Sequence, residues 1–146
     1  MSAQTTKTLE ESRNKTTIEE SFNAWRDGTG GPFDLLAENA TWAIVGGSLV
    51  SKTYESREAF MRDVIRPFNA RMSAQLRPAV KNLYTDGDTV IVFFEANGTA
   101  RDGKPYANTY AWFLTMRDDK VVKAIAFFDT LEFNEFWTRV KPSVSS

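Results

Sequence analysis

Apolar residues repeat with two different periods along this chain, and the period changes near Ala74. Upstream the spacing is helical. Ile18, Phe22 and Trp25 share one face, and Thr17 with Glu20 reads as a capping box opening that helix. Asp27-Gly28-Thr29-Gly30-Gly31 ends it, and Pro32 to Ala37 reads as a short second helix with proline in its first turn. Asn39 to Val45 is a strand candidate carrying Trp42 and Ile44 on one face, broken by Gly46-Gly47-Ser48. Ser56 caps a further helix whose buried stripe is Phe60, Met61, Val64, Ile65 and Phe68, and Pro67 inside that stripe should kink or shorten it.

Downstream the period is two. A strand from Ala74 leads to three more, Thr89–Ala100, Lys104–Arg117 and Lys120–Thr130, through turns at Asp86-Gly87, Asp102-Gly103 and Asp118-Asp119. Strands this long must twist and coil. Leu131 to Val140 reads either as a short helix or as a strand extension closing one end.

If each turn is a two-residue loop, three rows lie across one face: Asn97–Asn108–Asp129, Glu95–Tyr110–Phe127 and Phe93–Trp112–Ile125. Polar residues then gather at one end of an apolar floor, the layout of a pocket in a cone or half-barrel. The other face, with Val92, Phe94, Ala111, Phe113, Ala126 and Phe128, is apolar too. Helices cover one face. A second copy of the chain is the economical cover for the other, so a homodimer through the sheet face is expected, with loops as the alternative cover.

Composition then narrows the chemistry. The 146 residues fit one domain, expected over 16–141 between a flexible arm, 1–15, and a flexible tail, 142–146. Net charge is −1, which gives no electrostatic case for nucleic acid or an anionic membrane surface. The N-terminal stretch lacks an apolar core, no run is long enough to span a bilayer, and a cytoplasmic location is the expectation. Cysteine and histidine are both absent, which removes thiolate nucleophiles, imidazole bases and His- or Cys-ligated metals. No acidic cluster suits a hard cation, and no cofactor is expected. Gly28 to Gly31 lacks the helix and Lys-Ser/Thr of a phosphate loop.

Any catalysis then falls to carboxylates, Tyr, Lys, Arg or amides, and the expected ligand of the pocket is a small hydrophobic, oxygenated molecule. A buried carboxylate has its pKa raised and can serve as general acid or base. Asp129 and Glu95 are the candidate catalytic residues, and Asn97, Asn108 and Tyr110 are donors to a substrate oxygen. Trp42, Tyr54, Phe60, Trp112 and Phe127 complete the substrate-binding candidates. The same polar residues could equally form a satisfied internal network, or either carboxylate could pair with Arg62, Arg66 or Arg71. A non-catalytic binder of such molecules is the alternative function.

Several stretches resemble the nuclear transport factor 2-like superfamily, and more narrowly SnoaL-like and ketosteroid isomerase-like proteins. They are Phe22-Asn-Ala-Trp25, Ala40-Thr-Trp-Ala-Ile-Val45, Ser56-Arg-Glu-Ala-Phe60, Thr85 to Val92, Asp102 to Tyr110 and Ala126-Phe-Phe-Asp129. The resemblance covers about residues 15–140. It implies an α+β cone, a curved antiparallel sheet wrapped by about three helices around a cavity, and frequent dimers. It also implies a cofactor-independent isomerase, cyclase or hydrolase. SnoaL-like polyketide cyclases carry an acid–base aspartate where this chain has Asp129, but also tend to use a histidine that this chain lacks. Ketosteroid isomerases carry their base on the strand that here reads Trp42-Ala-Ile44. Limonene epoxide hydrolases carry Arg and Asp where this chain has Glu95 and Asn97.

Overall fold

A computed structural model gives the backbone of residues 3–143, with side chains described from Thr8 onward. Helix α1 (Ala3–Asp27) is followed by a 3-10 turn (Pro32–Leu35), strands β1 (Leu36–Ile44) and β2 (Thr53–Tyr54), and helix α2 (Arg57–Phe60). A π turn (Met61–Ile65) joins α2 to α3 (Arg66–Asn69) in one continuous helical stretch. Then come β3 (Met72–Asp86), β4 (Thr89–Ala100), β5 (Pro105–Arg117), β6 (Lys120–Phe128) and α4 (Thr130–Arg139). The expected α+β class holds. The sheet order is β2-β1-β6-β5-β4-β3, and β1 runs parallel to β6 while the other pairings are antiparallel.

Helix α1 starts well before Thr17, so the expected arm over 1–15 is helical from Ala3. Thr17 is no cap: its hydroxyl donates to the Arg13 carbonyl one turn back, the usual alternative for a mid-helix threonine. The early turns are held from outside. Arg13 forks onto Asp119 at 2.6 and 3.0 Å, and Glu11 accepts the Gly87 amide at 2.8 Å. The helix ends as expected, with Gly28 at φ 79° and the Thr29 amide bonded back to Ala24. At the other end Ser143 bonds to Ala70, so the expected tail is docked as far as it is described; residues 1, 2 and 144–146 lie outside the described residues.

Pro67 acts as its sequence position implies. It has no N–H to donate, and its ring would press on the carbonyl four residues back. The helix widens instead, and the Arg66 amide bonds to Met61, five back. Leu131 to Val140 resolves as helix rather than strand, with Asp129 as its N-cap.

The register differs from the two-residue-loop expectation. The β4–β5 loop has three residues, with Ala100 and Lys104 closing it and Gly103 at φ 86°. That geometry needs an αL residue in third place, and glycine supplies it. Asn108 therefore lies opposite Ala96, Tyr110 opposite Phe94, and Trp112 opposite Val92. The Asp118-Asp119 turn is two residues long as expected, both at positive φ, and pairs Arg117 with Lys120. A bulge then follows, between Thr115 and Met116, which puts Tyr110 opposite Phe128 and Trp112 opposite Ala126. Because side chains alternate, one residue of shift moves a whole strand to the other face.

All the helices pack on the face that carries Val92, Phe94, Tyr110, Trp112, Ala126 and Phe128. Phe22 meets Phe94 edge-on at 4.9 Å, Trp42 stacks on Phe60 at 4.3 Å, and Phe136 meets Tyr106 at 4.6 Å. Such pairs add about 0.5–1.5 kcal/mol each beyond their burial. Arg71 fastens the last helix: it donates to the Val140 carbonyl at 2.8 Å and stacks on Trp137. The opposite face presents Ile91, Phe93, Phe113, Ile125 and Phe127, with Phe93 40% and Phe127 50% exposed. Among the described residues no helix is long and apolar enough to cross a membrane.

Candidate functional site

Between the helices and the inner face lies a cavity of about 210 Å³. Its walls are aromatic: Trp25 from α1, Phe33 from the 3-10 turn, Trp42 from β1, Phe60 and Phe68 from α2 and α3, and Tyr110 and Trp112 from β5. The π turn contributes Val64 and Ile65. Polar groups are few: Tyr110, Asn69, Gln75 and Arg77. No carboxylate is among the lining residues. A second hollow, bounded by Gly30, Gly31, Pro32 and Met61, shares Trp25, Phe33, Ile65 and Asn69 with the cavity and adjoins it.

The sequence candidates divide between the two faces. Trp42, Phe60, Tyr110 and Trp112 line the cavity. Tyr54 is buried beside Phe60, but its hydroxyl donates to the Val50 carbonyl at 2.7 Å and it forms no part of the wall. Glu95, Asn97 and Phe127 face outward, against expectation, because of the three-residue loop and the bulge. Glu95 is exposed, with Lys81 at 3.9 Å. Asp129 is exposed as well, and its carboxylate accepts the Leu131 amide at 3.0 Å as a helix cap. None of the three central-helix arginines pairs with either carboxylate: Arg66 binds Glu58, Arg62 binds Asp63, and Arg71 binds carbonyls. Glu95, Asn97, Asn108 and Asp129 do meet, around an open polar groove on the outer face rather than in the cavity.

Asn108 is the hinge between the two faces. Its Oδ1 accepts the amides of Thr109 at 2.7 Å and Asp129 at 3.0 Å, which fixes the orientation of the side-chain amide. Nδ2 then donates to the Asp129 carbonyl at 3.0 Å and to the Tyr106 hydroxyl at 2.7 Å. The Tyr106 and Tyr110 hydroxyls are 3.0 Å apart. Either hydroxyl can be the donor across this contact, and the one that donates is spent on its neighbour. The run from Asn108 through Tyr106 leads to Tyr110, which lines the cavity.

Burial also fixes the protonation state of these phenols. It pushes Tyr106 up to about 12, against the opposing pull of its bonds to Tyr110 and Asn108. Burial likewise holds Tyr110 well above the ordinary phenol range. Both are neutral donors at physiological pH, and neither is a base. Sequence reasoning missed Tyr106, whose alternation with Asn108 and Tyr110 could have found it, and Arg77, which reaches the cavity from the bulged edge strand β3.

Several solved structures share the fold. Bal32a, from a soil-derived mobile gene cassette, is 21% identical with a TM-score of 0.70, over 88% of this chain and 98% of that one. An NTF2-like protein of unknown function from Burkholderia pseudomallei is 20% identical with a TM-score of 0.71, over 86% and 97%. TerC, co-crystallised with polyporic acid, is 21% identical with a TM-score of 0.67, over 86% and 98%. No curated protein matches the sequence. Residues 18–124 match the SnoaL-like domain, and with most of its length accounted for in this way the chain belongs to the SnoaL-like domain family.

Proposed function

We infer that this protein binds a flat, largely apolar, oxygenated small molecule in the aromatic cavity and polarises one of its oxygens through Tyr110. The observation that carries the reading is the hydrogen-bond run from Asn108 through Tyr106 to Tyr110, a phenol of the cavity wall; with Tyr106 as the donor between the two, the Tyr110 proton is left for a ligand. The ligand's matching group is therefore an acceptor, such as a ketone or quinone oxygen. Size agrees: an apolar cavity of about 150 Å³ takes one benzene ring, so this one has room for two fused rings.

Binding with polarisation fits the wall better than carboxylate acid–base turnover. The wall holds no carboxylate, and burial keeps the Tyr110 phenol well above its ordinary range, so it is a neutral donor rather than a base. Family members that act as isomerases or cyclases need a base, and here Asp129 and Glu95 are both on the far side of the sheet. The test is the carbonyl stretch of a bound aromatic ketone, acetylnaphthalene, followed by infrared difference spectroscopy. A shift to lower frequency in the wild type, absent in Tyr110→Phe, supports the reading; an unshifted band in the wild type rejects it.

A further inference from the structure

We propose that the ligand of this cavity is an anion, an aromatic carboxylate or acidic enol, whose negative group sits at the mouth on Arg77. This rests on the cavity being a ligand site, as argued above, and adds the charge of what enters it.

Arg77 is the one charged side chain on the cavity wall among the described residues. Its Nη1 donates to the Trp25 carbonyl at 3.2 Å, at the C-terminal end of α1. The guanidinium lies against Gly28, where a side chain would meet Nη2 at 3.1 Å, so the glycine leaves it room. Five N–H groups radiate from a guanidinium in a planar fork, and one of them is used here. No carboxylate among the described residues forms an ion pair with it; Arg57, Arg71, Arg101 and Arg117 are likewise without one, but of these five arginines Arg77 alone lines the cavity. The acidic group of the adjoining hollow, Asp34, is turned to its own partner, the Gly31 amide at 3.1 Å.

A bland role exists for Arg77, as a cation at a helix C-terminus. That role needs no cavity and no fork left open, and it makes no difference between charged and neutral ligands. The two are separable by selectivity. The cavity floor is neutral and hydrophobic, so burying an anion's aromatic body there while its charge stays at the half-wet mouth avoids the desolvation of a fully buried charge. Tyr110 then holds an acceptor oxygen at the inner end and Arg77 the anionic group at the outer end.

The experiment compares naphthoate with its neutral isostere methyl naphthoate by titration calorimetry on the wild type, Arg77→Gln, Arg77→Lys and Tyr110→Phe. Naphthoate is expected to bind the wild type about fivefold more tightly than the ester, the scale of one half-exposed ion pair. The preference should shrink in half-molar salt, persist in part in Arg77→Lys, vanish in Arg77→Gln and survive in Tyr110→Phe, where both probes weaken together. Equal affinity of the two probes for the wild type, or a preference that survives Arg77→Gln, overturns the anion assignment while leaving the pocket reading intact. Failure of both probes to bind overturns both. Melting temperatures of the Arg77 variants report any loosening of α1, which would weaken both probes alike and so leave the ratio as the deciding quantity.

Discussion

The side-chain amide of Asn108 brackets the backbone of Asp129, accepting its N–H and donating to its carbonyl, each at 3.0 Å. The residue that first suggests a catalytic carboxylate is thus held by its main chain, and its side chain is spent on α4. Replacing Asn108 by Ala should cost about 3 kcal/mol, since it strands buried amides and removes the donor to Tyr106. Urea unfolding measures it. In Asn108→Asp the new carboxylate would accept from Tyr106, Tyr106 would accept in turn from Tyr110, and the Tyr110 proton would no longer be free, so ketone binding should weaken beyond the loss of stability.

Asp129→Asn should be nearly silent. Asparagine caps helices about as well as aspartate, whereas Asp129→Ala should lose about 1 kcal/mol. Ligand affinity should not change in either variant. A collapse of binding or turnover in Asp129→Asn with the fold intact would restore the acid–base role and remove the reading given above.

The buried phenols make stability fall in alkali. Tyr106 titrates near 12 in the folded chain and near 10.0 unfolded, so the protein is penalised once the unfolded chain begins to ionise. Stability is fully present below pH 10 and is lost as pH rises toward 12, at about 1.4 kcal/mol per pH unit per buried tyrosine. Tyr110 adds in the same direction. The double variant Tyr106→Phe, Tyr110→Phe should flatten the slope, as followed by unfolding curves at stepped pH.

The outer sheet face is expected to pair with a second copy. Its centre is apolar, with Phe93 and Phe127, while Lys123 lies toward one end and Glu95 and Asp129 toward the other. A two-fold axis through the centre lays Phe93 and Phe127 of one copy against those of its partner and brings Lys123 toward the partner's Asp129 end. Sedimentation should give a dimer for the wild type and a monomer for Phe127→Lys. A wild-type monomer at micromolar concentration would sink the idea.

The helices, the strands and the aromatic walls were legible because their periods are long and repeated; Trp42, Phe60, Trp112 and Tyr110 needed no more than alternation and spacing. The site was not, because it depended on loop length. Asp102-Gly103 reads as a two-residue turn, yet the αL glycine closes a three-residue loop, and nothing in Val121-Val122-Lys123 announces a bulge. Each irregularity exchanges in for out along a whole strand. Phe94 and Ala96 hold the inward positions expected for Glu95 and Asn97 for that reason alone.

The odd loop at Arg101-Asp102-Gly103 has a consequence for how this domain could change. Removing one residue there would flip the parity of β4 against β5, turning Glu95 and Asn97 inward and Phe94 outward. The chain would carry a carboxylate beside Tyr110 without a single substitution. A length change of one in a surface turn is therefore the shortest route between a neutral aromatic receptor and a cavity equipped with a base.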